Sequence, residues 1–189
     1  MRELIFKYRG LVWGLFVVAV LIFPVSFSLA RIYAAIPLLI AGQSLRFWAA
    51  GFIPRYRTLV VDAPSLVTGG PYAWTRNPLY AGNGIMGLGW ALMAGWAWEA
   101  AFAVIFFTLY SLIIIPFEEK FLAERFGDEY AFYRKSTPSL FPALRDIRSR
   151  MDRSRAGFDA KKSWFMERHS LLMNALVTIA ILARLYFSG

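Results

Sequence analysis

Four uninterrupted apolar stretches, each close to the length needed to cross a bilayer, constrain this chain more than any other feature. The first runs from about Gly10 to Ala30, the second from Ile32 to Ile53, the third from Leu79 to Ala94 and the fourth from Trp98 to Ile115. A helix needs roughly 20 apolar residues to span the hydrocarbon, and its backbone must satisfy its own hydrogen bonds there. The chain therefore reads as an all-α, polytopic transmembrane helix bundle. Composition agrees, with 58% hydrophobic residues and only 17% charged. "SLLMNALVTIAILARLYF", residues 170–187, is shorter but apolar enough for a fifth span or a deep interfacial helix.

Within these runs, Pro24 predicts a kink in the first. Gly82, Gly84, Gly87 and Gly89 predict close packing of the third against a neighbour. The "AGWAW" turn makes spans three and four an antiparallel hairpin. The first run is too long for a signal peptide and lacks a small-residue cleavage site, so it is expected to be a retained anchor.

The net charge of +9 is unevenly placed. Arg2, Lys7, Arg9, Arg55, Arg57, Arg76 and the basic stretch 145–168, with eight Lys/Arg against four Asp/Glu, alternate to one side of the spans. The other side carries only Arg31 and Glu99. The positive-inside rule puts the N-terminus, the 54–78 loop and the 117–168 segment in the cytoplasm. Such charge is topogenic or lipid-directed, and no recognition motif accompanies it, so nucleic acid is excluded as a partner. The chain has no cysteine and one histidine, His169, so no metal site is expected.

Two polar elements fall on that cytoplasmic side. "GGPYAWTRNPLYAG", residues 69–82, holds two prolines, an arginine and two tyrosines between apolar runs. "FEEKFLAERFGDEYAFYRK", residues 117–135, has aromatic residues at helical spacing and reads as an amphipathic helix, or two broken at Gly127. "STPSLFP" then reads as an extended end. Irregular backbone at that depth is tolerated where protein buries it or where it lines a cavity. Arg76 offers a planar cation suited to a carboxylate or phosphate. Glu118 and Glu119 offer acceptors, although acidic residues also suit the start of a helix. Arg46, within the second span, is a charge expected to face a cavity or a partner.

The order Gly-Pro-Tyr, Arg-Asn-Pro-x-Tyr, then about thirty-five residues, then Glu-Glu-Lys-Phe-Leu, Phe-Gly-Asp-Glu-Tyr and a final Pro resembles the isoprenylcysteine carboxyl methyltransferase-like membrane enzymes. The likeness covers residues 42–142 and implies S-adenosylmethionine as cofactor. By position it assigns cofactor contacts to Gly70, Tyr72, Arg76, Asn77, Tyr80, Gly82, Glu118, Glu119, Tyr130 and Tyr133. It implies catalytic roles for Arg76 and Glu118 and an acceptor contact for Arg76; Arg46, as an intramembrane charge, is expected to contact the acceptor too. The acceptor would be a lipid-like molecule entering from the membrane, with cytoplasmic amphipathic helices capping the cofactor site.

Asn77 stands where that family usually has histidine, and phospholipid N-methyltransferases, similar over the same hairpin, commonly have Asn-Pro there. A phospholipid amine therefore remains open as acceptor, as do a sterol-reductase-like use of the bundle and a non-catalytic scaffold. The domain reading is an anchor region at 1–41, a methyltransferase core at 42–144 and a basic arm with a final helix at 145–189.

Overall fold

The computed structural model describes residues 2–26, 28–54, 63–142 and 157–187, with side chains from residue 8 onward. Helix α1 is Arg2–Ile22, α2 is Leu29–Ala50, α3 is Pro78–Ala94, α4 is Trp96–Phe106, α5 is Ile115–Ser136 and α6 is Ala160–Tyr186. No strand occurs among the described residues. Three helical stretches are long and apolar enough to cross a membrane: Leu29–Ala50, Trp96–Ser136 and Ala160–Tyr186, with Tyr8–Ile22 a shorter apolar one. At 17 residues, α3 lies at the lower limit of a spanning helix. Leu11, Leu15, Val18, Ile40, Val104, Leu112, Leu176 and Ile179 are exposed around the bundle. A patch so extensive marks a surface that meets lipid rather than water.

Proline decides where several helices stop. The first run is not one kinked helix: α1 ends at Ile22, and Pro24 opens a non-helical connection to Leu29. The residue before a proline avoids the α region, so the helix terminates there. Ser26 N–H then donates to Ala94 O at 3.1 Å, and Trp98 Nε1 donates to Pro24 O at 3.0 Å. This end of the bundle is therefore stitched to the α3–α4 turn, where Gly95 takes φ 121°. Arg31 of α2 and Glu99 of α4 form an ion pair beside it.

The α2–α3 contact organises the middle of the molecule. A Cβ on Gly42 would lie 2.7 Å from Gly82 O, and one on Gly82 would lie 2.8 Å from Gly42 O. The two backbones are that close because neither residue carries a side chain. Around the contact, Phe16, Val20, Met86, Phe102, Phe106, Tyr110 and Ile181 form one core.

Between α4 and α5 the helix widens into a π-helical stretch, Phe107–Ile114, where Ile115 N–H bonds to Tyr110 O. Pro116 accounts for it: its ring displaces the carbonyl four residues back and it has no N–H of its own, so the ladder loosens ahead of it. Past Pro116, α5 carries the acidic residues. Gly127 (φ 50°, ψ −122°) breaks it into two helices, as the sequence anticipates.

The last segment departs from the sequence reading. Residues 157–168 are largely exposed, Lys161 and Arg168 among them, but Ser163 and Glu167 are buried where α6 packs along α2. Ser163, Glu167, Ser170, Asn174 and Thr178 recur on one helical face and all bond inward. Their partners are Phe47 O, Arg46, Gln43 and Trp90 Nε1. Arg184 donates from Nε to Leu21 O at 3.0 Å. Arg55, Arg57 and residues 145–156 of the basic stretch lie outside the described residues.

Candidate functional site

The loop 69–78 and the segment 137–140 run alongside each other at the end of the bundle where α3 starts and α5 passes. Pro71 and the left-handed Gly70 (φ 59°) wind a short 3-10 turn over Gly70–Ala73. A Cβ on Gly70 would strike the Phe52 ring, so the glycine serves both a turn and a close approach. The loop is then zipped to the far segment. Arg76 N–H donates to Pro138 O at 2.9 Å, Thr75 Oγ1 to Ser139 O at 2.9 Å, and Asn77 Nδ2 to Ser139 O at 3.0 Å.

Arg76 is the centre of the cluster. Its Nε and Nη2 both donate to Glu119 Oε1, at 3.0 and 2.7 Å. Its Nη1 donates to Arg134 O at 3.2 Å and to Thr137 O. One guanidinium thus ties the loop to α5 and to the end of the segment that follows it. Glu119 Oε1 also accepts from Ser139 Oγ at 3.1 Å and lies 3.5 Å from Asn77 Nδ2. Four donors on one oxygen make Glu119 a fixed acceptor, held by a charge-assisted pair in a water-poor setting.

Glu118 is differently placed. Tyr80 Oη donates to its Oε1 at 2.6 Å. Tyr80 is itself buried, with its ring 4.7 Å from that of Tyr110. Glu118 is half-buried, two residues past Pro116, with a carboxylate oriented by a phenol. Tyr133 Oη donates to Tyr72 O at 2.7 Å, closing α5 over the 3-10 turn. Burial pushes the Tyr133 phenol well above its ordinary value, and that of Tyr130 up to about 12, with the Glu119 carboxylate adding to the second. Both are neutral donors at physiological pH.

The structure therefore gathers Tyr72, Arg76, Asn77, Tyr80, Glu118, Glu119, Tyr130 and Tyr133 at one end of the bundle, with Gly70 at its edge. Gly82 instead faces Gly42 and Arg46 on α2, where its role is helix contact. Arg46 lies deeper, beside Asn83, and pairs with Glu167 at 2.8 Å. Glu167 and Ser139 did not stand out in the sequence. Ser139 lies in an extended segment without periodicity. Glu167 is hidden among charges, although its four- and three-residue spacing to Ser163 and Ser170 marks a buried face.

Two buried polar atoms of the cluster, Tyr130 Oη and Trp74 Nε1, have no hydrogen-bond partner. Buried polar atoms without a partner in the protein are uncommon, and each calls for an explanation. Tyr130 also lines a groove of about 440 Å³ with Ala123, Gly127, Ala131, Arg134 and Lys135. Such a volume lies in the range of small-molecule pockets, about 300–1,000 Å³. Cationic side chains for a carboxylate, a carboxylate for hydroxyls, and aromatic rings for a base fit the donor and acceptor needs of S-adenosylmethionine.

All-helical, apolar on its outside and carrying an arginine–carboxylate cluster at one end of its spans, the chain is a helical membrane protein. The sequence pattern of the phospholipid methyltransferase family matches residues 30–129, and the chain belongs to that family. It is similar to the cobalt-zinc-cadmium resistance protein CzcN of Cupriavidus metallidurans, 40% identical over 52% of this chain and 43% of that one. It is likewise similar to the protein-S-isoprenylcysteine O-methyltransferase of Schizosaccharomyces pombe, 38% identical over 42% of this chain and 34% of that one. A third relative, the nickel-cobalt-cadmium resistance protein NccN of Alcaligenes xylosoxydans xylosoxydans, is 36% identical over 55% of this chain and 46% of that one. Each match spans less than half of the relative. No solved structure matches the chain. Among the described residues, no group of three or more His, Cys, Asp or Glu side chains stands close enough to share a metal ion.

Proposed function

We propose that the protein is an S-adenosylmethionine-dependent methyltransferase acting on a membrane-embedded, lipid-like acceptor. The observation that carries this reading is the Arg76–Glu119 clasp with Glu118 and Tyr80 beside it, built from the residues that the family resemblance picks out. Membership of the phospholipid methyltransferase family supports it.

The cofactor supplies an electrophilic methyl group on a sulfonium, transferred by in-line displacement to a nucleophile on the acceptor. For such a step the protein must align two partners and exclude water. Arg76 orders the loop and Glu119, Tyr72 and Tyr133 close the α5 helix over it, and Tyr130 offers an unpartnered phenol. Gly70, Asn77 and Gly82 shape the surrounding backbone: the turn, the start of α3 and its approach to α2. Glu118, held by Tyr80, is the catalytic carboxylate: it accepts a proton from an amine acceptor, or orients a cofactor hydroxyl when the acceptor is already a carboxylate. The guanidinium of Arg76 acts on the acceptor through the clasp, since its donors are turned onto Glu119 and the carbonyls of Arg134 and Thr137.

An isoprenylcysteine-type carboxylate is the acceptor that the yeast relative's name supports. A phosphatidylethanolamine amine is favoured instead by the Asn77-Pro78 pair, which phospholipid N-methyltransferases commonly carry at this place, and by the family match. The positive-inside pattern supports a cytoplasmic side for the cluster and the N-terminus.

Calorimetric titration of the detergent-solubilised protein with S-adenosylmethionine tests the reading. Saturable binding by the wild type, weakened by Glu118→Gln and abolished by Glu118→Ala/Glu119→Ala, is expected. A folded wild type that binds none, with lipid supplied, overturns it in favour of a scaffold or of a nicotinamide-dependent reductase.

A further inference from the structure

A second polar centre lies inside the bundle, one turn of α3 beyond Tyr80. Arg46 Nη1 donates to Asn83 Oδ1 at 2.5 Å, and Arg46 Nε and Nη2 donate to Glu167 at 2.9 and 2.8 Å. Gln43 Nε2 adds a donor to Glu167 at 3.3 Å, and Arg46 Nε lies 3.1 Å from Ser170 Oγ. These groups border a cavity of about 200 Å³ whose walls include Trp13, Phe16, Trp90, Phe102, Met173 and Asn174.

Three features of this chamber are informative. Its volume is below the roughly 300–1,000 Å³ that holds a whole drug-sized ligand, so it suits a headgroup or a short length of chain rather than a complete cofactor. Arg46, Asn83 and Ser170 line it but Glu167 does not, so its polar end presents the cation and not the counter-ion. Apart from Asn174, its remaining walls are aromatic and apolar, with Trp13 and Phe16 from α1, Met86 and Trp90 from α3, Phe102 from α4 and Met173 from α6. An ionised arginine held at that depth is costly unless it faces a cavity or a partner.

We propose that this chamber binds the anionic group of the acceptor, a phosphate or a carboxylate on an apolar tail, with Arg46 as the anchor and Glu167 as the counter-ion that the ligand displaces. The inference rests on the methyltransferase reading for the word acceptor, but the site itself does not. Asn83 follows Tyr80 by three residues, about 4.5 Å along the helix. A phosphate held at Arg46 leaves the amine of the same headgroup free to reach Glu118, whereas an acceptor carboxylate held there is itself the group to be methylated. Arg46 exchanges the Glu167 carboxylate for the anion of the ligand, which keeps the arginine paired throughout. Glu167 then retains Gln43 as donor.

The test uses the intact protein in an uncharged detergent, with three bromine-labelled probes of matched chain length. These are a short-chain phosphatidylethanolamine, a fatty acid and a diacylglycerol, with quenching of tryptophan fluorescence as the readout, since Trp13 and Trp90 line the chamber. Wild type is expected to bind at least one acidic probe about ten- to a hundredfold more tightly than diacylglycerol, the range of a charge-assisted hydrogen bond. Glu167→Gln should tighten that binding further, and Arg46→Gln/Glu167→Gln, which leaves no buried charge unpaired, should abolish the preference. A preference for phosphate alone, or for carboxylate alone, supports the site and identifies its source. Equal affinity for the three probes in wild type, or an unchanged preference in the double variant, overturns it. Titration with S-adenosylmethionine on the same samples separates the two readings: if wild type fails to bind it but keeps the lipid preference, the methyltransferase reading falls and the anion site stands.

Discussion

Among the described residues two arginine–glutamate pairs are buried, and they are built in opposite ways. At the end of the bundle, Arg76 and Glu119 have side chains 10% and 12% exposed, and both are saturated by their surroundings: backbone carbonyls on the arginine, Ser139 and Asn77 on the glutamate. Inside the bundle, Arg46 and Glu167 are 16% and 6% exposed, and the arginine borders an aromatic cavity while the glutamate lies behind it. The first pair joins an irregular loop to a helix and fixes a surface on which a ligand can be held. The second joins two spans across a space left unfilled. An ion pair is a weak source of net stability once its desolvation is counted, so its surroundings are a better guide to its use than its distance.

Separating the two pairs by mutation should give distinct signatures. The largest effect is expected for Arg76→Ala, which leaves Glu119 buried without its cation. Breaking such a pair costs about 3–5 kcal/mol, and thermal unfolding should fall accordingly while S-adenosylmethionine binding disappears. Glu167→Ala should cost a comparable or slightly smaller amount, about 3 kcal/mol, yet leave cofactor affinity unchanged. Loss of cofactor binding in that variant would erase the distinction between the two centres. Tyr80→Phe removes the donor to Glu118 and should lower turnover about tenfold or somewhat more, the effect of one hydrogen bond to a charged group, with little change in the melting temperature.

The smallest effect concerns pH. Tyr130 has its phenol raised to about 12 by burial and by Glu119. A raised value means that the folded state favours the protonated form, so the contribution is intact below the unfolded value of about 10 and is lost as pH rises toward 12. Tyr130→Phe should therefore be nearly silent at pH 7 and should flatten the alkaline limb of a stability profile. A limb of unchanged steepness would assign the alkaline loss to another group.

How much of this could be read without coordinates differs between the same two centres. The end cluster was legible because its residues lie in two short motifs whose side-chain types are unusual beside apolar spans. What the motifs could not show was the pairing: Arg76 grips Glu119 rather than Glu118, and Ser139 joins them from a segment without periodicity. The inner centre was half legible. A lone arginine in a span signals a partner, but the partner lay in a stretch whose net charge reads as solvated. The spacing of Ser163, Glu167, Ser170, Asn174 and Thr178 carries the signal, and it is a polar stripe where a soluble helix would show an apolar one. In a bundle surrounded by lipid the two faces exchange character. The end of α1 differs from the sequence expectation for a local reason: Pro24 suggests a kink within one span, whereas the chain leaves the helix at Ile22.

The central claim is that the end cluster holds a methyl donor from which a lipid in the bundle is methylated. Reconstitution into bilayers containing phosphatidylethanolamine and prenylcysteine, followed by addition of S-adenosylmethionine labelled in its methyl group, tests this most directly. The account predicts label in the lipid fraction with wild type and strongly reduced label with Glu118→Gln. Cofactor that binds but never passes its label to lipid, in wild type, would contradict it.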